Sequence, residues 1–296
     1  DSTAVKLIIG GIVAFFAAIV IIGGIKRIGR IASMLVPFMS LLFIAMAFVI
    51  IGKNHTAIPE TFRLIFTSAF SSKAVAGGVG GFAFSQIIKK GLARGVFSNE
   101  AGLGSSVIAH SASETREPVK QGLWGIFEVF FDTFVICTLT ALVILTTNIG
   151  SGAYENGSFF GTTNAAGDFV GASDSATALG AFSSNLGTFG TVTFLIILPL
   201  FAFTTVLAWS YYGEKAVDFC FRHMPEKKRK IPVMIFKILF ILLIVFSSLI
   251  GSDLIWALDD TFNGLMAIPN LIALFLLSGT VVKLTKEYFA GEGAGK

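Results

Sequence analysis

The chain has 296 residues, 54% of them hydrophobic and 14% charged, with 31 phenylalanines, 32 glycines and a formal net charge of +4. A soluble domain carries roughly 25% charged residues, so this chain lacks the polar side chains to cover a globular surface, and its mean hydropathy of +0.81 places it in a bilayer. A soluble enzyme, a disordered protein and a disulfide scaffold are excluded. The two cysteines, Cys137 and Cys220, fall in or beside apolar runs without CxxC spacing, so they suggest neither a disulfide framework nor a zinc site.

Taken in order, the elements read as spans of about 20 apolar residues each. The first runs from about Val5 to Ile25 and is ended by the basic cluster Lys26, Arg27 and Arg30. The second runs from Ile31 to Ile51, with Pro37 near its start, where proline is tolerated. The polar stretch from Lys53 to Arg63, followed by Leu64-Ile65-Phe66, predicts a short amphipathic surface helix. A third, weakly apolar segment from about Ser71 to Ile88 contains Gly77-Gly78-Val79-Gly80-Gly81. A polar and basic loop, Lys89 to Lys120, leads to a fourth span from Gln121 to Leu145. Residues 148–190 form a Gly/Ser/Thr/Asn-rich loop without a single Lys or Arg. The fifth span, Thr191 to Tyr212, is followed by a basic loop from Arg222 to Lys230; the sixth is Ile231 to Ile250 and the seventh lies within Asp253 to Val282.

The basic residues report topology. If the segment 26–30 is cytoplasmic and sides alternate, 18 of the 22 Lys and Arg residues fall inside, and only Lys6, Lys53, Arg63 and Lys73 fall outside. That bias follows the positive-inside rule and predicts seven crossings with a cytoplasmic C-terminus. The charge does not point to nucleic acid.

Three places carry candidate chemistry. Four glycines in five positions cost about 1 kcal/mol each relative to alanine inside a helix. They fit either a helix break lining a cavity or a close helix–helix contact. In the fifth span, Thr204 and Thr205 offer two adjacent hydroxyls suited to a hard cation such as sodium. Trp209 lies one turn beyond Thr205 on the same face. The ordinary alternatives are hydroxyls bonded to their own helix carbonyls and an interfacial aromatic belt. In the fourth span, Glu128 and Asp132 share a face, and Asp132 sits near mid-membrane. A buried carboxylate there is either a proton or cation relay or a structural group capped by a neighbouring helix. The three histidines, His55, His110 and His223, are far apart in sequence and suggest neither a metal site nor a triad. Asn54-His-Thr56 and Asn156-Gly-Ser158 match the glycosylation pattern on the predicted outer face.

The run Arg94-Gly-Val-Phe-Ser-Asn-Glu-Ala-Gly-Leu-Gly-Ser105 is unusual for a cytoplasmic loop. With Pro118-Val-Lys-Gln-Gly122, Phe131-Asp-Thr133, Cys137-Thr-Leu-Thr-Ala141, Trp209-Ser-Tyr-Tyr-Gly-Glu214 and Pro269-Asn-Leu-Ile-Ala-Leu274, it closely resembles the sodium:alanine (alanine or glycine:cation) symporter family over essentially the whole chain.

That resemblance implies an all-α polytopic membrane protein with a LeuT-like inverted-repeat transporter fold. Residues 1–52 would be the last two helices of the first repeat. Residues 53–296 would be the second inverted repeat, with its broken helix near 77–81 and an external loop at 148–190. It implies sodium-coupled uptake of small neutral amino acids, alanine or glycine foremost, by alternating access in the cell membrane. Sodium is then the co-transported ion, with no cofactor; membrane lipid is a partner and nucleic acid is not. Gly78 and Gly80 would lie near the substrate, Thr204 and Thr205 match hydroxyls associated with sodium, and Thr205 and Trp209 match positions that bound the substrate. Ser98-Asn99-Glu100 resembles an inner-gate or structural element. The family's first broken helix and the next two have no counterpart, so the chain is expected to be an N-terminally truncated member that does not transport alone. Two other readings remain: proton coupling through Asp132, and a non-transporting membrane subunit. No span carries a Ser/Lys, Asp/Asp or HExxH pattern suited to buried catalysis.

Overall fold

The computed structural model describes residues 3–70, 91, 93–151, 161–163, 169–171 and 174–291. Among them, six helices are long and apolar enough to cross a membrane, so the protein is an all-helical, multi-pass membrane protein with one small hairpin. The elements are α1 (Thr3–Ile22), α2 (Gly24–Lys53), α3 (Ile58–Phe70) after one 3₁₀ turn (His55–Ala57), α4 (Ser106–His110), α5 (Pro118–Phe130), a π-helical stretch (Phe131–Cys137), α6 (Thr138–Gly150), β1 (Gly161–Thr163), β2 (Phe169–Gly171), α7 (Asp174–Cys220), α8 (Glu226–Ser247) and α9 (Ser252–Phe289). The chain is also helical over 93–99. Strands β1 and β2 pair antiparallel, with Thr162 opposite Val170.

The chain divides into two compact units: Asp1–Met34, Ala93–Phe130 and Ala202–Lys296 form the first, and Leu35–Leu92 with Phe131–Phe201 the second. In the first unit α1 lies along α8. Small residues let these helices approach: a Cβ at Gly10 would come within 2.8 Å of Ser248 Oγ. Ala17, Val20 and Ile21 of α1, Ile28 of α2, and Leu207 and Tyr211 of α7 form its buried cluster, with Phe240, Ile241 and Ile244 of α8 packed against it. Two ion pairs join α7 to α8, Glu214 Oε2 to Lys237 Nζ at 3.0 Å and Asp218 Oδ1 to Arg229 Nε at 2.8 Å. Helix α9 presents Phe275 and Leu276 at 79% exposure, which in water would be a liability and in hydrocarbon is the expected outer surface.

The second unit is built on Met39, Phe43, Met46 and Ile50 of α2, Leu139 and Val143 of α6, and Phe182, Phe194 and Ile197 of α7. The Phe182 ring lies 5.6 Å from Phe43 and 4.8 Å from Phe194. A polar node closes one end of this unit. Asn54 Nδ2 donates to Asn185 Oδ1 at 2.6 Å, Asn185 Nδ2 donates to Thr147 Oγ1 at 2.8 Å, and Lys53 Nζ donates to the Asn185 carbonyl at 2.6 Å.

The amphipathic helix expected after Lys53 is present as α3. Two boundaries differ from the sequence reading. Lys26, Arg27 and Arg30 are not a loop but the first turns of α2, because only Gly23 separates α1 from α2. Arg27 Nη1 then donates to the Ile19 carbonyl at 2.9 Å, satisfying one of the acceptors left open at a helix C-terminus. Residues 148–190 are not one loop: α6 continues to Gly150, and α7 begins at Asp174. Helix α7 is two helical stretches joined at Gly187 (φ 58°, ψ −142°), a conformation open to glycine and strained for any other residue. The stretch before it was hidden because Gly, Ser, Thr and Asn lower helix propensity locally, while the burial of Ala178, Ala181 and Phe182 overrides it. Lys237, within the sixth span and counted above with the inner cations, is a buried helical residue paired with Glu214.

Candidate functional site

The loop following the helical residues 93–99 is fixed at every turn. The Arg94 guanidinium lies 4.3 Å from the Trp256 ring centroid and 3.4 Å from Asp260 Oδ2, while the Phe97 ring meets Trp256 edge-on at 5.6 Å. Asn99 Oδ1 accepts from the Ala101 N–H at 2.9 Å, an Asx turn of the kind that reverses a chain locally. Glu100 has φ 53°, and its carboxylate accepts from Ser105 Oγ at 2.7 Å, with the Tyr212 hydroxyl of α7 acting on it electrostatically. Leu103 is buried. Gly104, at φ +81°, is placed so that a Cβ would meet Asn270 Oδ1 at 2.8 Å. Three stretches distant in sequence, 94–105, 209–214 and 269–274, therefore meet in the first unit.

A second polar pair stands beside this loop. His110, at the end of α4, has Nε2 3.1 Å from Glu128 Oε2 on α5 and Nδ1 2.7 Å from Gln121 Nε2. Glu100 sits in this surrounding with its carboxyl pushed above the ordinary carboxylate value. Burial is the main cause and the charge of Glu128 adds to it, against the lowering effect of the Ser105 and Tyr212 hydrogen bonds.

Helix α7 divides its side chains between two faces. Phe203, Leu207 and Tyr211 are drawn into the hydrophobic cluster with α1 and α8, and Ser210 is buried with them. Thr205 and Trp209, one turn apart, share a different face, while Tyr212, at i+7, packs against the same hydrophobic cluster. Thr205 is exposed and Trp209 half-buried, and the Trp209 ring contacts the Tyr212 ring edge-on at 5.7 Å. A hydroxyl and an indole wall are thus aligned along one face of the helix, with the Tyr212 ring against the indole.

The chain matches the sodium:alanine symporter family over residues 2–296. It belongs to that family. Among relatives, it is 41% identical over 282 residues to the sodium/alanine symporter AgcS of Methanococcus maripaludis, covering 95% of this chain and 56% of that protein. It is 39% identical over 279 residues to an uncharacterized transporter of Haemophilus influenzae, covering 94% and 56%. To the probable sodium/glutamine symporter GlnT of Bacillus subtilis it is 37% identical over 291 residues, covering 98% and 55%. The chain spans about half the length of the curated relatives it matches. The sodium:alanine symporter family is a transporter family and not an enzyme family.

For this family member, the structure brings Thr205 and Trp209 onto one face, with Thr204 beside them and half-buried. It separates Asn99, which accepts from the Ala101 N–H, from Glu100, which accepts from the Ser105 hydroxyl. Asp132 lies in the π-helical stretch Phe131–Cys137, a helix form that recurs at functional sites; it belongs to the second unit, and Glu128 to the first. Gly78 and Gly80 lie outside the described residues. No group of three or more His, Cys, Asp or Glu placed to hold a metal occurs among the described residues. Sequence reasoning did not single out Tyr212, Gln121 or the Glu214–Lys237 pair. For Tyr212 a signal existed: it stands one turn beyond Trp209, whose ring it contacts.

Proposed function

We propose that these residues form part of a sodium-coupled symporter for small neutral amino acids such as alanine or glycine. In this reading the fold is LeuT-like, with residues 1–52 ending the first repeat and 53–296 forming the second, and the C-terminus is cytoplasmic. Thr204 and Thr205 offer hydroxyl oxygens to sodium, while Thr205 and Trp209 bound the amino acid. Gly78 and Gly80 contribute backbone groups at a helix break. The observation that carries the reading is the face of α7 on which a hydroxyl and an indole stand one turn apart, away from the hydrophobic cluster, in a chain of this family.

Sodium, a hard cation, is best held by hydroxyl and carbonyl oxygens, and a helix spanning a bilayer supplies both without water. An indole next to such a site excludes water and limits the size of the side chain that fits. Uptake of labelled alanine by the whole transporter in proteoliposomes tests the proposal. An inward sodium gradient is expected to drive accumulation, and replacing sodium with choline at fixed pH is expected to abolish it. Equal uptake in choline would overturn the sodium reading.

A further inference from the structure

Helices α1 and α8 run antiparallel. Gly10 of α1 lies against Ser248, at the end of α8, while the Ile21 carbonyl, near the end of α1, is met at 3.5 Å by Lys237 from midway along α8. The residues that follow α1 and the start of α8 therefore lie at the same end of the first unit. Arg27 is held there by its bond to the Ile19 carbonyl, and Ile28 is buried in the same cluster as Tyr211. The end of α7 is pinned to this place as well, through the 2.8 Å contact of Asp218 with Arg229. Two basic runs distant in sequence, Lys26 to Arg30 and Arg222 to Lys230, are thus brought to one end of one unit.

The ion pairs sort these charges. Of the carboxylates between Trp209 and Ser247, Glu214 is taken by Lys237 and Asp218 by Arg229. That leaves Glu226, and residues 20–34 hold none. Lys26, Arg30, Lys227, Lys228 and Lys230 are all exposed, and none of them forms an ion pair among the described residues. Like charges gathered at one end repel, so this surface favours an anion from outside. The neighbouring side chains say which anion. Ile22 and Ile25 precede Lys26, Ile231 follows Lys230, and all three are exposed. Phe219 is exposed too, with the Arg222 guanidinium 4.3 Å from its ring centroid. Apolar side chains within a turn of exposed cations mark the boundary between hydrocarbon and headgroups, where Lys and Arg lay their stems on apolar surface and keep their charge in water. A soluble anion makes no use of that apolar border. A phospholipid uses both parts, its phosphate on the cations and its chains against the isoleucines.

We propose that this end of the first unit is a binding site for an anionic phospholipid, whose headgroup is shared by Lys26 and Arg30 of α2 and Lys227, Lys228 and Lys230 of α8. The Arg30 guanidinium suits two phosphate oxygens at once, and the lysines supply point charges. A lipid seated there bridges α2 to the α7–α8 pair, so its binding stabilises the folded protein. The site stands on the fold and its membrane setting, and does not depend on which solute or ion is carried.

Native mass spectrometry of the whole protein, released from vesicles of equal phosphatidylcholine and phosphatidylglycerol, tests the site. Retained lipid is expected to be phosphatidylglycerol in large excess. Lys26→Gln/Arg30→Gln and Lys227→Gln/Lys228→Gln/Lys230→Gln are each expected to lower its retention roughly tenfold or more, because every cation near the surface adds to the attraction for anionic lipid. All five positions are exposed, so the variants leave the packing intact. Lys283→Gln/Lys286→Gln removes two cations from the end of α9, one of them beside Glu287, and is expected to leave retention unchanged. Phosphatidylglycerol added to the protein in detergent is expected to raise the melting temperature of the wild type and not of the two site variants. Equal retention of both lipids, retention unchanged in either site variant, or an equal loss in the α9 variant would overturn the proposal. An equal rise in melting temperature on adding inorganic phosphate alone would overturn it too, by showing a site for a soluble anion.

Discussion

Lys237 Nζ lies 3.0 Å from Glu214 Oε2 and also reaches the Ile21 carbonyl at 3.5 Å, so one buried ammonium ties α8 to both α7 and α1. Four residues beyond Glu214, Asp218 pairs with Arg229, and the two contacts form a ladder along an antiparallel helix pair. An unpaired charge in such a place is expensive. Lys237→Met is expected to destabilise the protein by roughly 3–5 kcal/mol, because Glu214 is left without its partner. The double variant Lys237→Met/Glu214→Gln should recover much of the loss. Thermal unfolding in detergent reads both; additive losses in the double variant would show that the pair is not coupled.

Gly104 is one of the points at which the 94–105 stretch meets α9, beside Arg94 and Phe97. Its φ of +81° disfavours any Cβ, and the added carbon would fall 2.8 Å from Asn270 Oδ1. Gly104→Ala is expected to cost about 1–3 kcal/mol, seen as a lowered melting temperature. Adding Asn270→Ala should return only part of it, since the backbone strain remains when the steric contact is gone.

The acid–base balance of Glu100 has a definite sign. Burial raises its carboxyl above the ordinary value of 4.5, so between that value and its raised folded one the folded state binds more protons than the unfolded chain. Stability from this group is then present at low pH and lost as pH rises through the folded value. Glu100→Gln, which keeps an oxygen for Ser105 and Tyr212, is expected to be the more stable form at neutral pH, with the difference closing towards pH 4.5. Denaturant titrations of both forms at several pH values measure it, and a difference that widens on acidification would contradict the assignment.

The spans were legible because membrane helices announce themselves by length and apolarity, and all six described crossings coincide with stretches marked by sequence. Family membership was legible in the loop 94–105 and the stretches that now prove to surround it. What escaped was governed by tertiary contact. The helix before Gly187 is poor in helix formers and exists because Ala181 and Phe182 are buried against α2 and α6. Lys237 read as one more cytoplasmic cation because its partner lies 23 positions earlier on another helix. Thr204, Thr205 and Trp209 were found from local spacing, which a helix preserves. Tyr212 went unassigned because its role depends on Glu100, 112 residues away in sequence.

The kinetics of Thr205→Ala and Trp209→Ala in the whole transporter bear most directly on the proposed site. With the sodium-dependent face of α7 as the substrate surface, Trp209→Ala is expected to raise the KM for alanine by roughly tenfold or more, equivalent to about 1.4 kcal/mol of lost binding. Thr205→Ala is expected to raise both that KM and the sodium concentration needed for half-maximal uptake. Unchanged alanine and sodium dependence in both variants would contradict the account.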